Sequence, residues 1–214
     1  MNFLRRISIV SVASLLSCLV LISLSTSVNA LEENAIFAGG CFWCLEHDFE
    51  ELQGVISVES GYSGGEIDNP SYRNHKGHQE VVRVSFNSLE ISYEDLLKSY
   101  WRNIDPYDSY GQFCDRGDSY RPVIYFSDES QMSSANLSLE KVAQELSIPL
   151  NKIGVEIKPK STFWIAEDYH QDYAERNSMK YKFYRYSCQR DKRLEEVWGE
   201  NARKGRQWAK SYLP

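Results

Sequence analysis

Residues 39–44 read Gly-Gly-Cys-Phe-Trp-Cys, set between the short apolar run Ala35–Ala38 and the acidic, helix-like stretch Leu45–Leu52. Few folds accept that order. The chain must turn from strand to helix within a pair of glycines, which is feasible because glycine adopts positive φ at little steric cost. A cysteine delivered by such a turn stands at a helix start, where unpaired backbone N–H groups and the macrodipole favour an anion. The Cys41 thiol is therefore expected to ionise more readily than free cysteine, whose pKa is about 8.5. Phe42 and Trp43 place large apolar surface next to it, with one indole N–H. The arrangement predicts a reactive sulfur facing an apolar pocket.

The rest of the chain supplies the scaffold. Strand-like runs occupy Ala35–Ala38, Val55–Glu59, Glu80–Phe86, Val123–Phe126 and Val155–Ile157. In the third, Val82, Val84 and Phe86 alternate with Arg83 and Ser85, the period of a strand with one wet face. Tyr93, Leu96, Leu97, Tyr100, Trp101 and Ile104 recur at helical spacing behind Ser92 as N-cap. Met132, Ala135, Leu139, Val142, Ala143 and Leu146 do the same after Ser127-Asp128. Further helices are expected over Glu167–Asn177 and Asp191–Trp198, on either side of an aromatic and basic segment, Tyr181–Tyr186. Two long polar stretches, Gly61–Lys76 and Asp105–Ser119, are candidates for functional loops. No repeat or linker divides residues 31–214. The expectation is an α/β (α+β) chain, one compact domain with a central mixed sheet flanked by helices.

The first thirty residues stand apart. Arg5 and Arg6 precede an uncharged apolar, serine-rich run, Ile7–Thr26, and Val28-Asn29-Ala30 offers small residues for cleavage. This is the pattern of a secretory signal peptide cleaved after Ala30, which predicts export, to a periplasm in a bacterium. Uncleaved, the same run is about long enough to anchor in a membrane. Cleavage leaves 184 residues and takes the net charge from −6 to −8, which argues against nucleic acid as a partner. It also leaves four cysteines, Cys41, Cys44, Cys114 and Cys188. In an exported protein such a set usually forms structural disulfides, but the first pair is too close, and too specifically placed, for an ordinary staple.

Five fragments occur in order: Gly40-Cys41-Phe42-Trp43, Gly61-Tyr62-Ser63-Gly64-Gly65, Gly77-His78-Gln79-Glu80-Val81-Val82, Asp115-Arg116-Gly117-Asp118-Ser119-Tyr120-Arg121 and Ala166-Glu167-Asp168-Tyr169-His170-Gln171-Asp172-Tyr173. Together they resemble the peptide methionine sulfoxide reductases of the A type, over nearly all of residues 31–214. The resemblance implies thiol-dependent reduction of the S epimer of methionine sulfoxide, free or in proteins, and hence protein repair. Methionine sulfoxide is the reversible rung of methionine oxidation, reduced by separate enzymes for its two epimers.

The residue types suit that chemistry. A thiolate at Cys41 is a nucleophile. Glu80, beside Val81 and Val82, is a carboxyl whose pKa apolar surroundings would raise, making it an acid near neutral pH. Tyr62 and Tyr120 carry hydroxyls able to donate to an oxygen that gains charge. By the resemblance Cys41 attacks the sulfoxide sulfur, Glu80 protonates its oxygen, and Tyr62 with Tyr120 hydrogen-bonds it. Phe42, Trp43, Asp115, His170 and Tyr173 border the substrate, the last two sharing one face if helical.

Methionine leaves and Cys41 remains as a sulfenic acid, which a second thiol resolves to a disulfide. Three resolving candidates stand open: Cys188, in the region where the family often keeps a recycling cysteine; Cys44, where many relatives have glycine; and Cys114, beside Asp115. The flexible glycine-rich tail common in the family is not evident. The resemblance implies no bound cofactor, a thioredoxin-like reductant as electron donor, and nothing beyond a monomer. His75 and His78 lack zinc-ligand company at the usual spacing and are taken as loop residues, so no metal is expected. Two other readings use the same cysteines: thioredoxin-like thiol–disulfide exchange at Cys41/Cys44, and an exported binding module held by two structural disulfides.

Overall fold

A computed structural model describes residues 31–203; residues 1–30, where a signal peptide is expected, lie outside them. In chain order the strands are β1 (Glu32–Ala38), β2 (Val55–Ser63), β3 (Gln79–Asn87), β4 (Gly111–Gln112), β5 (Asp115–Arg116), β6 (Val123–Phe126), β7 (Glu156–Pro159) and β8 (Trp164–Ile165). The α-helices are α1 (Phe42–Glu50), α2 (Tyr93–Arg102), α3 (Glu129–Glu145), α4 (Tyr173–Arg176), α5 (Ser178–Ser187) and α6 (Arg190–Trp198). Six strands form one sheet in the order β7-β6-β1-β3-β2-β8, and β4 with β5 makes a small separate hairpin. The β6–β7 pair is parallel and the others antiparallel, so the sheet is mixed as expected. Among the described residues no helix is long and apolar enough to cross a membrane.

The core forms where helices cover the sheet. Phe37 on β1 stacks between Phe49 of α1 (ring centroids 5.1 Å apart) and Tyr100 of α2 (5.1 Å). With Leu45, Val82, Val84, Phe86, Leu96, Leu97 and Ile124 they bury one contiguous apolar cluster. Helix α2 opens with a reciprocal cap: Ser92 Oγ accepts from the Asp95 N–H while the Asp95 carboxylate accepts from the Ser92 N–H. Asp128 caps α3 by accepting from the Gln131 N–H.

Local detail sharpens or departs from the expectations in four places. Helix α1 begins at Phe42, ahead of the helix-like stretch Leu45–Leu52, with Cys41 at the helix start as expected and Cys44 in the first turn. Strand β3 is central and its polar face is only partly wet: Ser85 is buried, while Arg83 stays partly exposed, lying over the Phe163 ring (4.4 Å) and paired with Glu59. The helix expected over Glu167–Asn177 shrinks to α4. Gln171 ties the preceding turn to β2, accepting from the Ser60 N–H (3.0 Å) and donating to the carbonyls of Ser60 (3.0 Å) and Ala166 (2.9 Å), while Asp172 adopts left-handed φ 52°. The aromatic and basic stretch is helical and lies within α5.

Candidate active site

The strand–glycine–helix turn places Cys41 at the edge of the core. Gly40 holds φ +85°, and a Cβ there would lie 2.7 Å from Gln112 Cβ, so the position is closed to other residues both by conformation and by space. Glu80, at the start of β3 and 2% exposed, accepts the Phe42 N–H with Oε2 at 3.1 Å. This carboxyl thereby satisfies an orphan donor of the first turn of α1 and sits directly under the cysteine. Burial, with smaller contributions from Asp115 and Cys44, raises its pKa to about 8 against the lowering effect of the Phe42 N–H. Glu80 is therefore mostly a neutral acid at pH 7, as its apolar flanks predict.

Cys41 and Cys44 are both free and buried. Here the expected ionisation is reversed. Burial, then the hydrogen bond and charge of Cys44, then Glu80, hold the Cys41 thiol well above its ordinary value. The Cys44 thiol falls to about 7, chiefly because it accepts the Cys41 hydrogen bond, with the buried guanidiniums of Arg190 and Arg185 adding to the effect. The helix N-terminus acts on a group already stripped of water, and desolvation wins at Cys41. Of the pair, Cys41 is the thiol held up and Cys44 the one drawn down.

An aromatic wall flanks the sulfurs. Trp43 stacks on Tyr173 (centroids 3.7 Å apart, 8° between planes) and donates its indole N–H to His170 Nδ1 at 3.1 Å. That bond fixes His170 as the neutral tautomer protonated on Nε2, in keeping with burial lowering its pKa. His170 and Tyr173 thus meet on Trp43 without sharing a helix, since His170 lies in the turn before α4. Phe42 is fully buried against Tyr62 (5.9 Å) and His170 (4.9 Å).

Tyr62 donates its hydroxyl to Glu167 Oε2 at 3.0 Å. Tyr120 sits in a 3₁₀ turn, and burial followed by Glu80, Tyr72, Asp115 and Cys41 raises its pKa, leaving a neutral O–H. Asp115 is half-buried in β5 and accepts from Tyr184 at 2.5 Å.

Cys114 and Cys188 form a disulfide, with Cα atoms 4.9 Å apart. Among the described residues the one grouping of metal-ligating types is this pair with Asp115, and its two sulfurs are bonded to each other.

The comparisons with known proteins agree with this geometry. The family model for peptide methionine sulfoxide reductase matches residues 33–202. The chain belongs to that family. It is 48% identical over 171 residues to peptide methionine sulfoxide reductase MsrA 2 of Caulobacter vibrioides, covering 78% of this chain and 86% of the relative. It is 46% identical over 170 residues to MsrA of Streptococcus equi subsp. zooepidemicus, covering 78% and 99%. The solved methionine sulfoxide reductase A of Corynebacterium diphtheriae is similar in fold, with a TM-score of 0.65 and 30% identity over 69% of this chain and 76% of that one. The protein is a peptide-methionine (S)-S-oxide reductase, and its activity is the thiol-dependent reduction of methionine sulfoxide.

The reductase site also holds groups that the sequence reading passed over. Tyr184, on α5, joins Asp115 to the sulfurs: it donates to the carboxylate, stands beside the Cys41 thiol and meets the Trp43 ring edge-on (5.9 Å). Arg190 is buried to 1% exposure, donates to the Asn103 carbonyl at 2.7 Å and lies over the Phe113 ring (4.3 Å). Glu167 holds the Tyr62 hydroxyl and the Tyr72 N–H together, and the Tyr72 ring packs on His170 (4.6 Å). Of these, only Glu167 lies inside a quoted motif. His75 stacks on Tyr62 (4.9 Å), and buried His78 accepts from the Gly65 N–H while donating to the Ile67 carbonyl, so its part is to staple the loop.

Proposed function

We propose the following division of labour for the sulfoxide reduction. The observation that carries it is the set of Cys41, Cys44 and the protonated Glu80 at one turn of α1, with Cys114 and Cys188 already joined elsewhere. Cys41 is the nucleophile, and Cys44 takes its proton as attack begins. Glu80 protonates the sulfoxide oxygen, while Tyr120 and Tyr62 donate to it, Tyr62 by exchanging its Glu167 partner. A positioned acid contributes roughly 10²–10⁴ in rate. Phe42, Trp43, His170 and Tyr173 enclose the methyl group, and Asp115 borders the pocket.

Methionine departs and leaves Cys41 as sulfenic acid. Cys44 attacks that sulfur, so the Cys41–Cys44 disulfide forms as the S–O bond breaks and the oxygen leaves as water. This ranks Cys44 first among the three resolving candidates, because it shares the first turn of α1 with Cys41, whereas Cys114 and Cys188 pair with each other at the Asp115 hairpin. The Cys114–Cys188 couple, one member of which is exposed, is the next carrier. As a dithiol it reduces Cys41–Cys44 by exchange and becomes the disulfide, which a thioredoxin-like protein then reduces. The protein works as an exported monomer, its segment 1–30 removed. The charged n-region, the apolar run, the Val28-Asn29-Ala30 end and a disulfide suited to an oxidising compartment support that placement.

The test is a single turnover without added reductant. Pre-reduced protein is mixed separately with the S and R epimers, and methionine and lost thiols are counted. Methionine is expected from the S epimer alone and is abolished in Cys41→Ser. Cys44→Ser, which also loses the proton acceptor, is expected to form methionine more slowly and to stop at a trappable sulfenic acid that Cys188→Ser does not accumulate. The reverse pattern in these two variants would reassign the resolving role to Cys188.

A further inference from the structure

One buried carboxyl near the site takes no part in the chemistry above. Glu46 lies on α1 two residues beyond Cys44, is 1% exposed, and has no hydrogen-bond partner of ordinary geometry on either oxygen. An unpaired carboxyl in the interior is costly, so its surroundings are informative. Facing it are Ser60 Oγ, which also lacks a partner, and the backbone of Asp172 and Tyr173. Burial, with the charge of Glu50 one turn along, raises the Glu46 pKa to about 7, and those neighbours oppose the rise.

The segment above Glu46 carries much of the pocket. Glu167 holds Tyr62 and Tyr72, His170 holds the Trp43 indole, and Tyr173 stacks on Trp43. Gln171 clamps this segment to the Ser60 backbone on one side. On the other, Asp172 is in the left-handed region and supplies no side-chain cap to α4. Facing that backbone from α1 is the Glu46 carboxyl, with Glu50 one turn along beside the Asp172 side chain.

We infer that Glu46 is a positioning residue for substrate binding. With Ser60 it anchors the backbone at Asp172–Tyr173 and so keeps the Tyr173 ring stacked on Trp43. The inference rests on the assignment of Trp43 and Tyr173 to the substrate pocket. An acceptor is what the position requires, and both a carboxyl and a carboxamide provide one. The contact therefore survives Glu46→Gln and is lost in Glu46→Leu, which keeps comparable volume.

The experiment measures KM and kcat for the S epimer in wild type, Glu46→Gln, Glu46→Leu and Tyr173→Ala, together with Trp near-ultraviolet dichroism and thermal midpoints. Loss of one neutral hydrogen bond sets the expected scale: Glu46→Leu raises KM about tenfold with kcat within about twofold, and Glu46→Gln stays near wild type. The Trp dichroism of Glu46→Leu should shift toward that of Tyr173→Ala. An unchanged KM in Glu46→Leu, whatever its melting point, while Tyr173→Ala raises KM, overturns the inference. An unchanged KM in Tyr173→Ala overturns the pocket assignment instead. A fall in kcat alone in Glu46→Leu also overturns the inference, since it would place Glu46 in the chemical step.

Discussion

Replacing Glu80 by glutamine tests whether burial makes this residue an acid, through two independent readouts. The carboxyl is 2% exposed, accepts the Phe42 N–H and has its pKa raised to about 8. The folded protein thus holds a proton that the unfolded chain, with a reference value of 4.5, releases. Between those two values the native state binds more protons, so stability falls as pH rises through that window. Each pH unit is worth about 1.4 kcal/mol, which makes the wild type lose about 3 kcal/mol between pH 4.5 and pH 7 relative to a variant that cannot titrate there. Glutamine keeps an acceptor for the Phe42 N–H but adds N–H donors that need partners, a constant offset of roughly 1–3 kcal/mol. The offset does not depend on pH, so the slope is the diagnostic quantity. Urea unfolding of both proteins at several pH values should show their stability difference opening in favour of Glu80→Gln as pH rises, then levelling off above about 8. Single turnovers should run roughly 10²–10⁴ slower in the variant. The wild-type rate should fall as pH passes about 8, with that alkaline limb absent from Glu80→Gln. Parallel stability curves would refute the reasoning, because they would mean Glu80 titrates at an ordinary carboxyl value.

Fully pre-reduced wild type should give about two methionines per chain without added reductant, and the double variant Cys114→Ser/Cys188→Ser about one; equal yields would make the outer disulfide a staple. Tyr184→Phe removes the hydroxyl that donates to Asp115 beside Cys41, and urea unfolding should show a stability loss of roughly 1–3 kcal/mol from the unpaired carboxylate, with slower methionine formation. Gly40→Ala should lose about 1–3 kcal/mol from the positive φ alone, and activity with it, because the Gln112 contact displaces the turn that carries Cys41.

How much of this site was legible depended on whether local chemistry or tertiary placement decided each residue. Cys41 at a glycine turn and Glu80 between a turn and two valines are local patterns, and both fall where the pattern put them. His170 and Tyr173 were paired for a helical spacing that does not exist; Trp43, more than a hundred residues earlier, brings them together. Tyr184, Tyr72 and Arg190 had no local signature, because their importance comes from α5, α6 and the loop after β2 folding over α1. The disulfide was equally out of reach. Cys114 and Cys188 are 74 residues apart, and only the packing of the Asp115 hairpin against the end of α5 makes them neighbours. The missed element β8 is two residues long and exists through its pairing with Gly61 and Tyr62, for which an isolated Trp164-Ile165 gives no sign.

The reversed ionisation at Cys41 gives the second cysteine a reason to be in the motif besides disulfide formation. Sulfoxide attack needs a thiolate and a neutral carboxylic acid side by side, the opposite of their order in water, where Glu titrates near about 4.3 and Cys near about 8.5. Burial corrects only half of this. It lifts Glu80 into the useful range, but by the same physics it lifts Cys41 out of it. In this chain Cys44 is a base close at hand, since its coupling to Cys41 together with Arg190 and Arg185 brings its own pKa to about 7, close to that of a base working at neutral pH. The two guanidiniums are held from elsewhere in the fold, Arg185 by Asp48 (3.0 Å) and Arg190 by the Asn103 carbonyl. The two cysteines thus share one dry site with opposite shifts, so the proton transfer proposed from Cys41 to Cys44 has its acceptor beside it.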